Sequence, residues 1–300
     1  MIGHKDRARP LRDYCVGLVV PGERKSVEPM AAVTAPGRVA AQHQSLLHFV
    51  GEGRWSDERV LAKVREMVLP EMERRGPITA WIIDDTSFPK QGYHSVGVAR
   101  QYCGQLGKQD NCQVAVSLSI ANRHSSLPVA YRLYLPQDWA NDRARRRKAG
   151  VPEDVAFKTK PEIALEQLRW ACEAGLPRGV ALLDAGYGNN SELRADITEL
   201  GLTYAAGILS TTTVWAPGTG PLPPKRWSGR GRPPKLMRRA GNIGRSPSRH
   251  SHSACRSERG ERSNGVKARP TSCPRVLRAC VFVWHIATTG SPTVERRSGC

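Results

Sequence analysis

The sequence predicts an α/β (α+β) protein built on a sheet that mixes strand directions. Three observations carry this. Short apolar runs rich in β-branched residues recur between 78 and 210, the pattern of buried strands. Two of these runs follow one another with only a polar turn between them, as antiparallel neighbours do. The remaining runs are separated by amphipathic segments long enough to be helices, as in crossover-connected strands.

The elements follow in chain order. The first eighty residues read as helical. "SDERVLAKVREMVLPEME" opens on Ser56 as N-cap, with acids in the first turn and Val60, Leu61, Val64, Met67 and Val68 at helical spacing. "AAQHQSLLHFVGEG" is a shorter helix closed by glycine. "ITAWIID" is a strand, and "CQVAVSLSIANRHSSLPVAYRLYLP" is two strands joined by the turn at 122–126. "KPEIALEQLRWACEAGLP" is a helix with Pro161 in its first turn and Gly175 and Pro177 at its end. "GVALLDAGYG" is a strand, "NSELRADITELG" a helix and "LTYAAGIL" a further strand. The order β, ββ, α, β, α, β is that of a ribonuclease-H-like mixed sheet flanked by helices, with a doubly wound α/β fold as its competitor.

The organisation expected is a helical N-terminal region at 1–77, open to DNA contact, and a catalytic core at 78–212. A Pro/Gly-rich basic arm at 213–237 and a low-order Arg/Ser-rich tail at 238–300 follow. The net charge of +19 is concentrated at the back: 16 Lys and Arg stand against Glu258, Glu261 and Glu295 between 230 and 300. No Asp occurs after Asp196. Such a composition does not build a core, and the tail is expected to be disordered and to be the product of a frameshift or truncation. Only "VLRACVFVWHIATT" within it reads as a strand or buried element. A strongly basic chain points to a polyanionic partner, most often nucleic acid. No run approaches the roughly 20 apolar residues of a membrane span. The charged start "MIGHKDRARP" lacks the apolar stretch of a signal peptide. A cytoplasmic, nucleoid-associated protein with no membrane partner is therefore expected. The eight cysteines include no C-x-x-C pair, and the grouping His250, His252, Cys255 lies in the polar tail; neither a zinc ribbon nor a disulfide framework is indicated.

The chemistry is carried by acids at strand ends. "WIIDDTSFPK" places Asp84 and Asp85 after the apolar run, and Asp184 closes a second such run. In the expected sheet these two strands are neighbours. Carboxylates brought close repel unless a cation lies between them. Mg²⁺ prefers hard oxygen ligands, and two such ions about 3.5–4 Å apart serve phosphodiester chemistry. A paired-acid turn explains Asp84 and Asp85 alone, but not Asp184 in the matching place.

The stretches "ERKSVEPMA" (23–31), "LLHFVGEGRW" (46–55), "WIIDDTSFPKQGYHSVGVARQYCGQLGKQDNCQVAVSLSIA" (81–121), "LPVAYRLYLPQDWANDRARRRKAGVPEDVAFKTKPEIAL" (127–165) and "ALLDAGYGNNSELRADI" (181–197) resemble the DDE-type transposases of bacterial insertion sequences, the DDE superfamily endonuclease group. The resemblance covers roughly 10–237. It implies a ribonuclease-H-like core with an Asp-Asp-Glu triad holding two Mg²⁺ ions, Mn²⁺ being able to substitute. Asp84 with Thr86 matches the family's D-x-T pattern and Asp184 with Tyr187 its D-x-x-Y pattern; Asp85 is the alternative to Asp84 as ligand. The third acid, a Glu on a late helix in a Tyr-Arg-Glu-Lys signature, has no counterpart after 210. The implied activity is Mg-dependent cleavage and strand transfer at insertion-sequence ends and target DNA, by a homodimer on DNA. It is impaired here by the missing acid. The alternative is a non-catalytic DNA-binding relic or inhibitor. Lys90, Lys108, the basic run Arg143, Arg145, Arg146, Arg147 and Lys148, and Arg230 and Arg232 in the AT-hook-like "GRGRPPK" are the expected DNA contacts.

Overall fold

A computed structural model describes residues 3–22, 25–53, 55–214 and 222–232, with two dipeptide strands at 246–247 and 283–284. The expectations for the arm are met by description only in part, and those for the tail lie almost wholly outside the described residues. The chain divides into two compact units, Met1–Gly76 and Pro77–Cys300.

The first unit is helical. Helices α1 (Ala8–Val19), α2 (Val27–Thr34) and α3 (Val39–Gly51) pack around Met30, Ala31 and Leu46, with Tyr14, Val27 and Val39 against them. Gly17 allows α1 to pass α2 closely, since a Cβ built there would lie 2.7 Å from Met30 Cβ. The buried Asp13 accepts a hydrogen bond from Gln42 Nε2 at 3.0 Å, linking α1 to α3. Helix α4 (Asp57–Arg75) begins where expected: the Ser56 hydroxyl accepts from Arg59 N at 3.2 Å, and Asp57 and Glu58 occupy the first turn. Pro70 lies inside α4.

The second unit is the mixed sheet. Strand β1 (Ala80–Pro89) runs antiparallel to β3 (Lys108–Ala121) from Ala80↔Ala121 to Pro89↔Cys112. The first part of β3 pairs with β2 (Ala99–Cys103), and its second part with β4 (Ser126–Leu133). The turn between β3 and β4 is closed by the Asn122 side chain, whose Oδ1 accepts from His124 N at 2.9 Å and Ser125 N at 3.0 Å. On its other edge β1 runs parallel to β5 (Val180–Leu183), and β5 parallel to β6 (Tyr204–Ala206). The order β4-β3-β1-β5-β6, with β3 antiparallel to β1, is the ribonuclease-H-like arrangement. Between β4 and β5 lie α5 (Gln137–Asn141), α6 (Arg143–Lys148) and α7 (Lys160–Glu173); α8 (Ala185–Gly188) and α9 (Ser191–Glu199) connect β5 to β6. Two further short strands, β7 (Thr213–Val214) and β8 (Ser246–Pro247), pair with each other. The last, β9 (Val283–Trp284), pairs with β6 and falls inside the tail run read as strand-like.

The core explains the register. Trp81, Ile83, Val114, Val116, Leu118 and Ile120 are buried and bring one face of β1 and β3 against Ile163 and Leu168 of α7. Trp81 is wholly enclosed, and its Nε1 donates to Pro177 O at 2.8 Å, tying β1 to the connection that leads into β5. Helix α7 starts with a capping box in which Thr159 and Glu162 satisfy each other's backbone N–H groups. The sequence did not signal β2, α5 or α6. Strand β2 contains the polar pair Arg100–Gln101, and the two helices are only 5 and 6 residues long, too short for a 3.6-residue period to register. Among the described residues no helix is long and apolar enough to cross a membrane.

Candidate active site

The strand expected to stop at its acids does not: Asp84 and Asp85 lie inside β1, which runs on to Pro89 because β3 continues to pair with it, and they follow only the end of its parallel pairing with β5; Asp184 comes directly after β5, as the N-cap of α8. The β1–β5 register pairs Ile82 with Leu182 and Ile83 with Leu183. The pairing ends there, and Asp84 and Asp184 are the next residues of the two segments, near enough for the charge of Asp184 to act on Asp84. Side chains alternate along a strand, so Asp84 shares a face with Ile82 and Leu182, and Asp85 shares the opposite one with Ile83. That opposite face is the one α7 covers. Asp85 pairs with the buried Val116, whose carbonyl accepts from Gln167 Nε2 of α7 at 3.0 Å.

The two adjacent acids therefore have different surroundings. Asp84 reaches solvent, and its Oδ1 accepts from the Asp85 N–H at 2.8 Å. Asp85 is half-buried and engaged through both oxygens. Its Oδ2 pairs with Lys160 Nζ at 2.6 Å, and its Oδ1 accepts from the Tyr187 hydroxyl. Asp184 is exposed and is the N-cap of α8, its Oδ1 accepting from Tyr187 N at 3.2 Å.

The electrostatics record the crowding of acids. Desolvation raises the Asp84 carboxyl above its ordinary value of 3.8, and the charges of Asp184 and Asp85 add to the rise, against the hydrogen bond from Asp85 N–H. Burial likewise drives the Tyr187 phenol far up, reinforced by Asp85, Asp184 and Asp84 in that order. A carboxyl with a raised pKa holds its proton more tightly in the folded state than in the unfolded chain. Its ionisation thus costs stability at neutral pH, and the cost is relieved as pH falls through the raised folded value. Asp84→Asn is expected to raise the Tm of the metal-free protein at pH 7 and to leave it unchanged at about pH 3, where the carboxyl is neutral in both states. Melting curves in chelator at the two pH values check this.

The donor set fits a hard divalent cation: two carboxylates that follow the paired ends of β1 and β5, with the charge of Asp184 raising the Asp84 carboxyl. It is a pair and not a triad. Among the described residues no three His, Cys, Asp or Glu side chains are grouped to hold a metal ion.

The basic residues expected to meet DNA fall into two kinds. Arg143, Arg147 and Lys148 are exposed along α6. Arg145 and Arg146, from the same run, turn inward. The Arg145 guanidinium lies 3.7 Å from the centre of the buried Trp139 ring and donates to Tyr93 O at 2.6 Å. Arg146 donates to the carbonyls of Ala140 at 3.2 Å, Pro152 at 2.8 Å and Val155 at 2.7 Å, holding together the loop after α6. Lys90 is exposed just beyond β1, its backbone pinned to Asn111. Lys108 pairs with Asp110 at 3.0 Å and, chiefly by that hydrogen bond, holds the Asp110 carboxyl below its ordinary value. Arg230 and Arg232 are exposed in a bend where Gly229 and Gly231 take φ of 84° and 73° and the Trp227 indole donates to Gly231 O at 3.2 Å. Two glycines in the left-handed region give the chain a local bend here, within the segment read as a linker or arm.

Lys160 went unnoticed in the sequence. It did carry a signal: a cation at the first position of a helix opposes the helix dipole and so calls for a nearby acid. Tyr187 was legible only as a motif residue.

A mixed sheet in which β1 runs antiparallel to β3 and parallel to β5, flanked by helices, defines a ribonuclease-H-like fold. A protein-family model described as DDE superfamily endonuclease matches residues 1–269, and the chain belongs to that family. The matched span continues past residue 237, into the Arg/Ser-rich segment. Among curated proteins, the probable transposase for insertion sequence element IS701 of Microchaete diplosiphon is 30% identical over 196 residues, covering 65% of this chain and 47% of the relative. The chain thus spans about half the length of that relative. Among solved structures, the piggyBac transposase synaptic complex with hairpin DNA aligns at a TM-score of 0.37 and 11% identity over 70% of this chain and 43% of that one.

Proposed function

We propose that the chain is a transposase-type DNA endonuclease core that holds Mg²⁺ between Asp84 and Asp184 and acts at insertion-sequence ends, with catalysis impaired by the lack of a third acid. The observation that carries the reading is that Asp84 and Asp184, which directly follow the paired segments of β1 and β5, lie near enough to interact, in a DDE-family chain. Asp84 and Asp184 would supply the oxygen ligands, and Mn²⁺ would serve in place of Mg²⁺. When bound, two such ions polarise a phosphodiester and lower the pKa of an attacking water. Asp84 keeps its carboxylate clear of cationic partners for this purpose, and Asp184 is oriented by the Tyr187 N–H.

DNA is the proposed partner, at transposon ends and target, engaged by a homodimer, and the nucleoid is the proposed location. The net charge of +19 supplies the general attraction. Arg143, Arg147 and Lys148 are the phosphate contacts best placed to act, being exposed where Arg145 and Arg146 are held inside. Replacing all three by alanine is expected to weaken DNA binding uniformly across sequences and to flatten its salt dependence by about 3 in log–log slope, each neutralised phosphate contributing about 0.9. Filter binding at several salt concentrations measures this.

Binding without cleavage is the second reading, favoured by the absence of a third acid beside the pair among the described residues. The deciding experiment incubates the chain with Mg²⁺ and DNA carrying the element's ends, alongside the full-length relative. Binding with nicking slower by orders of magnitude than the relative's, and lost on Asp84→Ala, is the expected result. Nicking at the relative's rate overturns the impairment. Absence of both DNA binding and metal binding overturns the whole reading.

A further inference from the structure

We propose that Tyr187 ties Asp184, beyond β5, to Asp85 of β1, with Lys160 holding the other oxygen of Asp85, so that Asp85 is a positioning residue and not a metal ligand. The inference rests on the reading of Asp84 and Asp184 as the ligands.

Tyr187 touches both acid-bearing segments. Its peptide N–H donates to Asp184 Oδ1 at 3.2 Å, and its hydroxyl donates to Asp85 Oδ1. One residue therefore grips the β5 acid through the main chain and the neighbour of the β1 acid through the side chain. The residue is 3% exposed, and a tyrosine has only two side-chain torsions to fix, so the link is stiff. Spacing makes it workable. An N-cap carboxylate accepts from the N–H three residues on, so when Asp184 caps α8 it is the N–H of Tyr187 that meets it.

The second oxygen of Asp85 is taken by Lys160 at 2.6 Å, the two side chains being 29% and 30% exposed. Lys160 is the first residue of α7, where a cation opposes the helix dipole. Asp85 offsets that cost, and Lys160 offsets the cost of a half-buried carboxylate. With both oxygens engaged, Asp85 would have to shed a lysine and a phenol to meet an ion. Asp84, on the other face, accepts from the Asp85 N–H, so fixing Asp85 also fixes the backbone that carries Asp84.

The test uses the full chain, with Mn²⁺ affinity read by electron paramagnetic resonance well below each variant's Tm, and melting in chelator as a metal-free measurement. Asp84→Asn is expected to abolish measurable Mn²⁺ binding. Asp85→Asn, Tyr187→Phe and Lys160→Met are each expected to weaken it about tenfold, as loss of groups that orient ligands does. Lys160→Arg, which keeps the charge, should retain most of the affinity. In chelator, the Asp85→Asn/Lys160→Met double variant should melt no lower than the worse of the two single variants. If Asp85→Asn abolishes Mn²⁺ binding while Tyr187→Phe and Lys160→Met leave it unchanged, Asp85 is a ligand and the proposal is overturned. Additive losses of Tm in chelator overturn it as well. If Asp84→Asn leaves Mn²⁺ affinity intact, it is the ligand assignment that fails, and the metal-free melting still decides whether Asp85 and Lys160 act as a unit.

Discussion

Alanine at Gly188 is expected to destabilise the sheet unit by about 3 kcal/mol, the upper part of the range for forcing a methyl group into a packed interior. A Cβ built at Gly188 lies 2.0 Å from Gly207 O and 3.0 Å from Ala206 Cβ. Neither neighbour can retreat cheaply. Gly207 N donates to Leu183 O at 2.8 Å, holding the β6 end to β5, and Gly207 is itself packed on the backbone of Asp184 and Ala185. Gly188 N donates to Asp184 O at 2.7 Å, so α8 is fixed from its other side. The clash must therefore move α8 as a body, and with it Tyr187. Chemical denaturation should show a lower midpoint at an unchanged slope. Cation binding should fall even under conditions where the variant remains folded, because the displaced helix carries the N–H that orients Asp184.

The second large effect is at Asp184, which has two separable roles. As the N-cap of α8 it contributes stability, and as the partner of Asp84 it contributes charge. Asp184→Ala removes both, and is expected to cost about 1 kcal/mol of stability together with all measurable Mg²⁺ or Mn²⁺ binding. Asp184→Asn keeps an acceptor for Tyr187 N and should melt at or above the parent temperature in chelator, since a like charge beside Asp84 is gone. It should nevertheless bind no cation. Titration calorimetry with Mn²⁺, run beside melting curves for the two variants, separates the roles. Equal cation affinity in parent and Asp184→Asn would remove Asp184 from the metal site.

Much of the sheet unit was legible before any coordinates. The apolar run at Trp81–Ile83, the polar turn at 122–126 and the Pro161 helix start each became the element predicted. In each case a local preference and the final packing agree. The pairing of acids across 100 positions was legible only through the order of elements, because a parallel neighbour is a property of topology. Where the reading fell short, short-range signals were weak or shared. The run 143–148 looks uniformly basic, yet Arg145 and Arg146 are taken up by Trp139, Tyr93 and the loop carbonyls. Arginine's long stem and five donors suit it equally to a phosphate and to a set of main-chain carbonyls, and only the position of those carbonyls distinguishes the two. The local bend at "GRGR" was not legible, since glycine permits bent and extended backbone alike.

Legible from the sequence alone were the main elements and their order, the basic balance and the aspartates that follow the apolar runs, all of which rest on periodicity, composition and neighbours along the chain, whereas the continuation of β1 past Asp84 to Pro89 was not. Decided only by the tertiary structure was the difference between Asp84 and Asp85. Strand alternation turns adjacent side chains to opposite faces, and what waits on each face is set by distant segments. Lys160 and Tyr187 arrive beside Asp85 from 75 and 102 positions away, and Asp84 is left exposed within reach of the charge of Asp184.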